Sequence, residues 1–438
     1  MLETFRRAFQ TKDIRRKLGY TFLMLIVIRI GSQLPTPGVN GEYIKNFFAQ
    51  DTGEAFNLFN AFTGGSFEQM SILALSITPY ITSSIIVQLL TIAIPKLEEM
   101  QKDGEDGRKK IVAITRYLTV GLALMESTAM AVGFGRQGLL KEFNFVNAAI
   151  VVLTLTAGST FLMWIGERIT EKGVGNGISI VLVINIISRI PSDMTTLFTK
   201  FVKGKSLASG GLAVVIIVAI ILVLVVFVVV LQDGERRIAV QYSQKVMGRR
   251  TYGGQSTNIP LKVNTAGVIP IIFASSLMQF PIVIATFAGK GNGTGIGSEI
   301  LRGLNQGNWC NPSLPIYNIG LVIYIVLVVF FAYFYTSITF NPLEVSNNIK
   351  KQGGFIPGIR PGKPTTDYLT GILNYIIFIG AVGLIIIAVI PFFFNGVFGA
   401  NVSFGGTSLI IIVSVILETI KQIESLMLVR NYKGFLNA

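Results

Sequence analysis

Residues 212–231 read LAVVIIVAIILVLVVFVVVL, a run of 20 apolar side chains without one hydrogen-bonding group. A helix of about 20 residues spans the roughly 30 Å hydrocarbon core of a bilayer. In water the same helix would expose an apolar surface of the kind that folded soluble proteins keep small. This stretch therefore predicts a membrane-spanning helix, and it decides the class of the fold.

Similar apolar runs recur along the 438-residue chain, in which 51% of the residues are hydrophobic and 14% are charged. We therefore predict an all-α membrane protein with ten transmembrane helices. The predicted spans are 18–34, 72–94, 111–134, 146–165, 177–201, 212–231, 266–287, 319–340, 373–394 and 409–428.

The distribution of Lys and Arg predicts the topology of these spans. Of the 37 basic residues, 25 fall in the two terminal tails and in alternate loops that share one side with them. The positive-inside rule makes this side cytoplasmic, so we expect a multi-pass protein of the cell membrane with both termini in the cytoplasm. The net charge of +14 could instead mark a surface for nucleic acid or for an acidic partner.

Ten spans divide at about residue 210 into two halves of five, 1–210 and 211–438. Because five is odd, the second half enters the membrane in the opposite direction to the first. This arrangement permits two inverted five-helix halves around a central pore. The inference comes from the number of spans, since the two halves share no evident residue-level repeat.

Composition argues against catalysis. The chain has no histidine and a single cysteine, Cys310, so it lacks the commonest general base and any internal disulfide. We expect no catalytic residue, no metal and no cofactor. A secondary transporter would need ion-coupling carboxylates, which are scarce in the spans. An intramembrane enzyme is suggested only by the serine of GNGIS at 175–179, which has no histidine to activate it. A gated conduit is therefore the favoured function.

Several long motifs connect the chain with a known family. They are GERRIAVQY at 234–242, GGQSTNIPLKVNTAGVIP at 253–270, TPYI at 78–81, IIVQLL at 85–90, GVGNGIS at 173–179, FIPGIRPG at 355–362 and GGTS at 405–408. By these motifs, which are spread over both halves, the chain resembles the SecY family along essentially its whole length.

The resemblance implies a protein-conducting channel. Such a channel passes unfolded polypeptides across the membrane and releases apolar segments sideways into lipid, while an external motor ATPase (SecA) or a translating ribosome supplies the drive. The chain itself shows no nucleotide-binding loop. The implied partners are small membrane subunits resembling SecE and SecG, SecA, the ribosome, substrates that carry a signal sequence, and anionic lipids.

The resemblance also implies a pore that closes in two ways. A waist of aliphatic side chains is assigned by motif position to Ile77, Ile81, Ile178, Leu182, Ile272 and Ile411. A short plug helix at about 56–67, in the external segment after the first span, contains Phe56, Asn57, Phe59, Phe62, Gly64 and Gly65. Without the resemblance, the first group could be an ordinary packing core, and the second could be a helix lying at the membrane surface.

Two further surfaces are implied. Spans two and seven form a lateral gate with Pro79 and the polar residues Thr82, Ser83, Gln88, Ser275, Ser276 and Gln279, although small polar residues also serve plain helix packing. The cytoplasmic loops 232–265 and 341–367 form the docking surface for the motor or ribosome. Its basic residues are Arg236, Arg237, Lys245, Arg249, Arg250, Lys350, Lys351, Arg360 and Lys363.

Within the second docking loop, residues 357–362 read PGIRPG. The two Pro-Gly pairs predict tight turns that present Arg360 on a stiff tip. The alternative is a solvated basic loop, placed in the cytoplasm only by the positive-inside rule.

Overall fold

The structure is a computed structural model that describes residues 10–44, 63–135, 138–203, 207–242, 245–247, 250–252, 256–287, 295–398 and 406–436. Its helices are α1 (Lys12–Gly31), α2 (Thr78–Ala93), α3 (Pro95–Lys102), α4 (Gly104–Gly133), α5 (Phe145–Lys172), α6 (Gly177–Phe201), α7 (Leu207–Asp233), α8 (Ile269–Phe287), α9 (Ile296–Leu304), α10 (Asn318–Thr339), α11 (Pro342–Lys351), α12 (Lys363–Phe398) and α13 (Gly406–Leu436).

Each of the ten predicted spans coincides with one of these helices, and α6 has the predicted limits. Within the described residues, α4, α5, α6, α7, α12 and the stretch containing α10 are long and apolar enough to cross a membrane individually. The pair α2 and α3, which is bent by 103°, would make a seventh such element. The predicted all-α membrane fold is confirmed, with changes at the helix ends.

The second span begins later than predicted, at Thr78 and not at residue 72. Ser76 has a φ of 53°, in the left-handed region, which interrupts a right-handed helix. Pro79 then occupies the first turn of α2, where its missing N–H is not needed. At the other end Ile94 is extended because Pro95 follows it, and the chain turns sharply into α3.

The spanning helices pack into two groups along the sequence. In the first group α4 packs against α2 and α5, α5 packs against α6, and α1 packs against α5 and α6. In the second, α10 packs against α8 and α12, and α13 packs against α7 and α12. The groups meet where α6 contacts α7 and α13, and where α4 contacts α8. The inverted relation between the halves stays a prediction.

The segment before α2 is a series of buried turns. Residues 64–70 form turns and not helix, and Gly64 and Gly65 have φ values of 67° and 82°. Phe67 and Leu75 are buried in a hydrophobic cluster with residues of α4 and α5. Of the predicted plug helix, Phe56, Asn57, Phe59 and Phe62 lie outside the described residues.

The two basic loops, 232–265 and 341–367, contain strands that were not predicted from the sequence. They are β1 (Glu235–Tyr242), β2 (Lys245–Met247), β3 (Arg250–Tyr252), β4 (Ser256–Lys262) and β5 (Gly354–Phe355). One antiparallel sheet has the order β4-β1-β5, with Glu235 opposite Lys262 and Gln241 opposite Phe355. A second, two-stranded sheet pairs β2 with β3.

The three-stranded sheet forms because β1 alternates exposed and apolar side chains. Ile238 and Val240 point inward and are buried. They pack in one cluster with Ile349 of α11, with Ile356, which follows β5, and with Leu369 of α12. A sheet with one apolar face needs such a cover. The sheet therefore joins loops 232–265 and 341–367 into one body.

Candidate functional site

Most of the predicted waist residues lie in one aliphatic cluster. Five of the six belong to it or pack against it: Ile77, Ile81, Ile178, Leu182 and Ile411. The cluster draws on α1, α2, α5, α6 and α13, so it contains side chains from both halves of the chain.

Ile272 is the one predicted waist residue that is not among the residues of this cluster. Val268 contacts the cluster, and it lies four residues before Ile272, just ahead of α8. Residues four apart share one face of a helix, so Ile272 lies one turn further along the same side. In the same part of α8, the ring of Phe273 stacks on the ring of Phe331 of α10, with 5.1 Å between the ring centroids. This contact packs the first turns of α8 against the second group of helices.

The motif at 173–179 positions the waist residues of α6. Gly175 has a φ of 86°, a conformation that favours glycine. Asn176 caps the helix, because its Oδ1 accepts hydrogen bonds from the N–H groups of Ile178 and Ser179 at 3.1 and 3.4 Å. Gly177 packs so closely on the backbone of α5 that a Cβ there would collide with it. The start and direction of α6 are thereby fixed.

Farther along α6, three polar side chains contact the buried turns before α2. Asn185 Nδ2 donates a hydrogen bond to Ser76 Oγ at 2.9 Å, and Ser188 Oγ, which donates to the Asn185 carbonyl at 2.6 Å, also lies 3.3 Å from the Gly64 carbonyl oxygen. Arg189 pairs with Glu68 at 3.6 Å. Asn185 was not among the residues predicted for the site, although an amide within an otherwise apolar span is a signal for a specific partner.

The predicted gate residues lie on two helices. On α2, Thr82 Oγ1 and Ser83 Oγ donate to carbonyls of the preceding turn, at 3.1 and 2.7 Å. Pro79 and Ser83 are buried, and Thr82 and Gln88 are half-buried. On α8, Ser275 is buried, Gln279 is half-buried and Ser276 is exposed.

The helix of the first half that α8 packs against most clearly is α4, which the predicted gate did not include. The third span therefore belongs to the boundary between the halves on this side. The sequence offered no signal for this particular contact, because α4 carries several small polar residues, as α2 and α8 do, and composition does not show which helices meet. The hydroxyls of Thr82 and Ser83 bond to carbonyls of α2 itself, so they offer no hydrogen bond to a neighbouring helix and leave this surface effectively apolar.

The predicted docking residues of loops 232–265 and 341–367 are exposed wherever the structure describes their side chains: Arg236, Arg237, Lys350, Lys351, Arg360 and Lys363. Lys245 lies on β2 and Arg250 on β3, while Arg249 is outside the described residues. Because the sheet joins the two loops, these charges lie on one body. Among the described residues, no group of three or more Cys, Asp and Glu could hold a metal ion.

The tip that carries Arg360 has the turns that its sequence predicts. Gly358 and Gly362 have φ values of 83° and 106°, and the N–H of Ile359 donates to the carbonyl of Ile356 at 3.0 Å. Two hydroxyls secure the turn from behind. Thr365 Oγ1 donates to the Arg360 carbonyl at 2.9 Å, and Ser346 Oγ of α11 donates to the Gly362 carbonyl at 3.1 Å. The backbone of the tip is therefore held while the arginine side chain is free to reach outward.

Comparison with known proteins agrees with this geometry. A profile of the SecY family matches residues 71–420. The chain is 45% identical over 450 residues to the protein translocase subunit SecY of Streptomyces galbus, with 100% of both chains covered.

Two solved structures share the fold at low sequence identity. One, described as the structure of a protein conducting channel, has a TM-score of 0.61 and 18% identity, covering 94% of this chain and 92% of that one. The other is Sec61 in the canine ribosome-channel complex from the endoplasmic reticulum, with a TM-score of 0.57, 17% identity and the same coverage.

Proposed function

The chain belongs to the SecY family of protein translocase subunits, and from this premise we propose that it conducts unfolded polypeptides between its two five-helix halves, which are sealed by the aliphatic waist. It is a channel subunit and not an enzyme. The observation that supports the proposal most is the cluster in which Ile77, Ile81, Ile178 and Leu182 of the first half meet Ile411 of the second.

A waist of this composition suits a seal that must also open. Aliphatic side chains offer no hydrogen bonds, so a continuous water column through a narrow ring of them is unfavourable. Their attraction is non-directional, so the ring can part around a chain of any sequence and close again without restoring specific bonds. The same residues thus serve both the closed and the conducting state.

The segment before the second span supports a plug. Its described part, 63–77, is packed between α4, α5 and α6 and ends directly at the waist residue Ile77. We propose that residues 56–67 block the external side of the waist at rest. The Phe-rich part of this segment would then cover the ring with apolar surface while no substrate is present.

Deleting residues 57–65 is expected to raise the resting ion conductance of the reconstituted channel, because the waist alone would then separate the two aqueous sides. The measurement is the current or the dye flux across vesicles without substrate. A deletion of 291–294, in another external segment, is the control. An unchanged conductance would instead support a helix that lies at the membrane surface.

We propose that the lateral gate opens where α2 and α4 face α8. Pro281 lies inside α8, where it interrupts the hydrogen bonding of the helix and lowers the cost of bending it. Parting of these helices would let an apolar segment leave for lipid while the polar chain continues through the waist.

Tying Thr82→Cys to Ser276→Cys with a bifunctional maleimide, in a Cys310→Ser background, is expected to stop translocation and to leave motor binding intact. The crosslink would hold α2 and α8 together without touching the cytoplasmic loops. Each single-cysteine variant, treated with the same reagent, is the control. Continued secretion through the crosslinked channel would rule out a gate between these helices.

The partners follow from the family and from the charged loops. The solved structure of Sec61 was obtained with a ribosome, and we propose that this chain likewise receives substrates from a ribosome or from a SecA motor at loops 232–265 and 341–367. SecE-like and SecG-like subunits would complete the complex, and both termini would lie in the cytoplasm with these loops. Anionic lipids would contact the basic cytoplasmic side.

A further inference from the structure

The polar row on α6 has no part in the waist, the gate or the docking surface. Asn185 lies seven residues after Ile178 and three after Leu182, so it continues the stripe of α6 that carries two waist residues. Ser188 and Arg189 extend this row by one further turn. All three polar residues contact the segment 63–77.

Asn185 holds both ends of this segment. At one end, Gly64 lies so close to it that a Cβ at position 64 would be 2.7 Å from the Asn185 carbonyl oxygen. At the other end its amide donates to Ser76 Oγ. The Ser76 and Asn185 side chains are only 1% and 2% exposed, so water does not compete for this hydrogen bond.

Ser76 is held in a conformation that residues with a side chain rarely adopt. Its φ of 53° is left-handed, and a residue other than glycine keeps such a conformation only where the surroundings enforce it. The next residue is Ile77, which precedes the first turn of α2 and belongs to the waist cluster. The backbone at Ser76 therefore sets where Ile77 points and where α2 begins.

We propose that Asn185 is a positioning residue whose hydrogen bond to Ser76 keeps the segment 63–77 in its closed arrangement and so sets how readily the waist opens. The inference rests on the proposed role of the waist. Breaking the bond releases the left-handed conformation at Ser76 and lets Ile77 leave the cluster. Water that enters an opening pore offers both polar groups new partners, so hydration of the pore and release of the segment favour each other.

The test compares two substitutions that remove the same hydroxyl. Ser76→Ala removes the acceptor and keeps the cost of the left-handed backbone, and it is expected to raise the resting leak per folded channel about tenfold. Ser76→Gly removes the acceptor too, but glycine adopts this φ freely, so its leak is expected to be about fivefold lower than that of Ser76→Ala. Asn185→Leu should resemble Ser76→Ala, and the double variant should leak no more than either single variant.

Ser127→Ala is the matched control. Ser127 is as buried as Ser76, and its Oγ bonds Thr156 Oγ1 at 3.0 Å, a hydrogen bond that joins α4 to α5 and does not involve the segment 63–77. This variant is expected to lower thermal stability without a change in leak. A loss of packing alone would instead make Ser76→Ala and Ser76→Gly equally leaky.

Ile411→Asn, a direct substitution in the waist, separates the two hypotheses. If it leaks while Ser76→Ala and Ser76→Gly leak equally, or while the effects of Ser76→Ala and Asn185→Leu simply add, the role of Asn185 is wrong and the waist stands. If Ile411→Asn itself stays sealed, the waist is wrong and the role of Asn185 falls with it.

Discussion

Replacing Ile411 by asparagine is expected to make the resting channel leak ions, by on the order of tenfold or more, and to let substrates with defective signal sequences pass. Ile411 is 3% exposed and is the waist residue that the second half contributes to the cluster. An amide at this position gives water a hydrogen-bonding partner inside the ring. The barrier to a continuous water column then falls, and the closed state loses stability relative to the open one.

Ion flux into proteoliposomes and the export of a signal-defective reporter measure the two effects. Ile411→Leu keeps the apolar surface and nearly the same volume, so it should stay sealed. Val226→Asn introduces the same amide on α7, at a residue that is 61% exposed on the outer surface of the chain and outside the waist cluster, and should not leak. If Ile411→Asn were as tight and as selective as the unaltered chain, the cluster would be an ordinary packing core.

Exchanging Arg360 for glutamate is expected to abolish motor-driven translocation while the channel still assembles and inserts. The exposed guanidinium can form paired hydrogen bonds with carboxylates of a motor or with phosphates of ribosomal RNA. Losing one side of such a contact costs about 2–5 kcal/mol of binding free energy, and the reversed charge adds repulsion. The backbone of the tip, fixed by Ser346 and Thr365, should persist because neither bond involves the arginine side chain.

Motor affinity and ATP-dependent import into vesicles check this expectation. Lys363→Glu, three residues away, should reduce import less, because a lysine acts as a screened point charge. Lys172→Glu, at an exposed residue outside the two loops that is predicted to lie on the same side of the membrane, should have little effect. Near-normal import by Arg360→Glu would contradict a docking role for this residue. It would support the alternative, a solvated basic loop whose side of the membrane is set only by the positive-inside rule.

The spans could be predicted from the sequence because the membrane imposes their length and polarity. The ends were less certain, since local backbone chemistry decides them. Pro95 was visible as the end of α2, but its start depended on the left-handed turn at Ser76, for which a serine gives no signal. The three-stranded sheet was missed because β1 alternates over few residues and is completed by β5, more than 100 residues away in sequence.

In the candidate site too, features carried by local sequence could be predicted, and features made by contacts between distant residues could not. Motif positions brought Ile178 and Leu182 together with Ile411, because the strings around them fix the direction of each helix. The hydrogen bond between Asn185 and Ser76 joins residues 109 apart in sequence, so only the packed structure could reveal it. The contact of α4 with α8 was hidden for a similar reason, since packing between halves leaves no periodic pattern in either helix.

The most direct test of the conduit is to stall a substrate polypeptide midway and to ask which residues touch it. A photoreactive amino acid is placed in turn at Ile81, at Ile411 and, as the lipid-facing control, at Val226. We expect the stalled chain to crosslink to the first two positions from opposite halves, only while it is engaged, and not to Val226. Crosslinks at Val226 without any at Ile81 or Ile411 would show that polypeptides do not pass between the halves, and would contradict the proposed function.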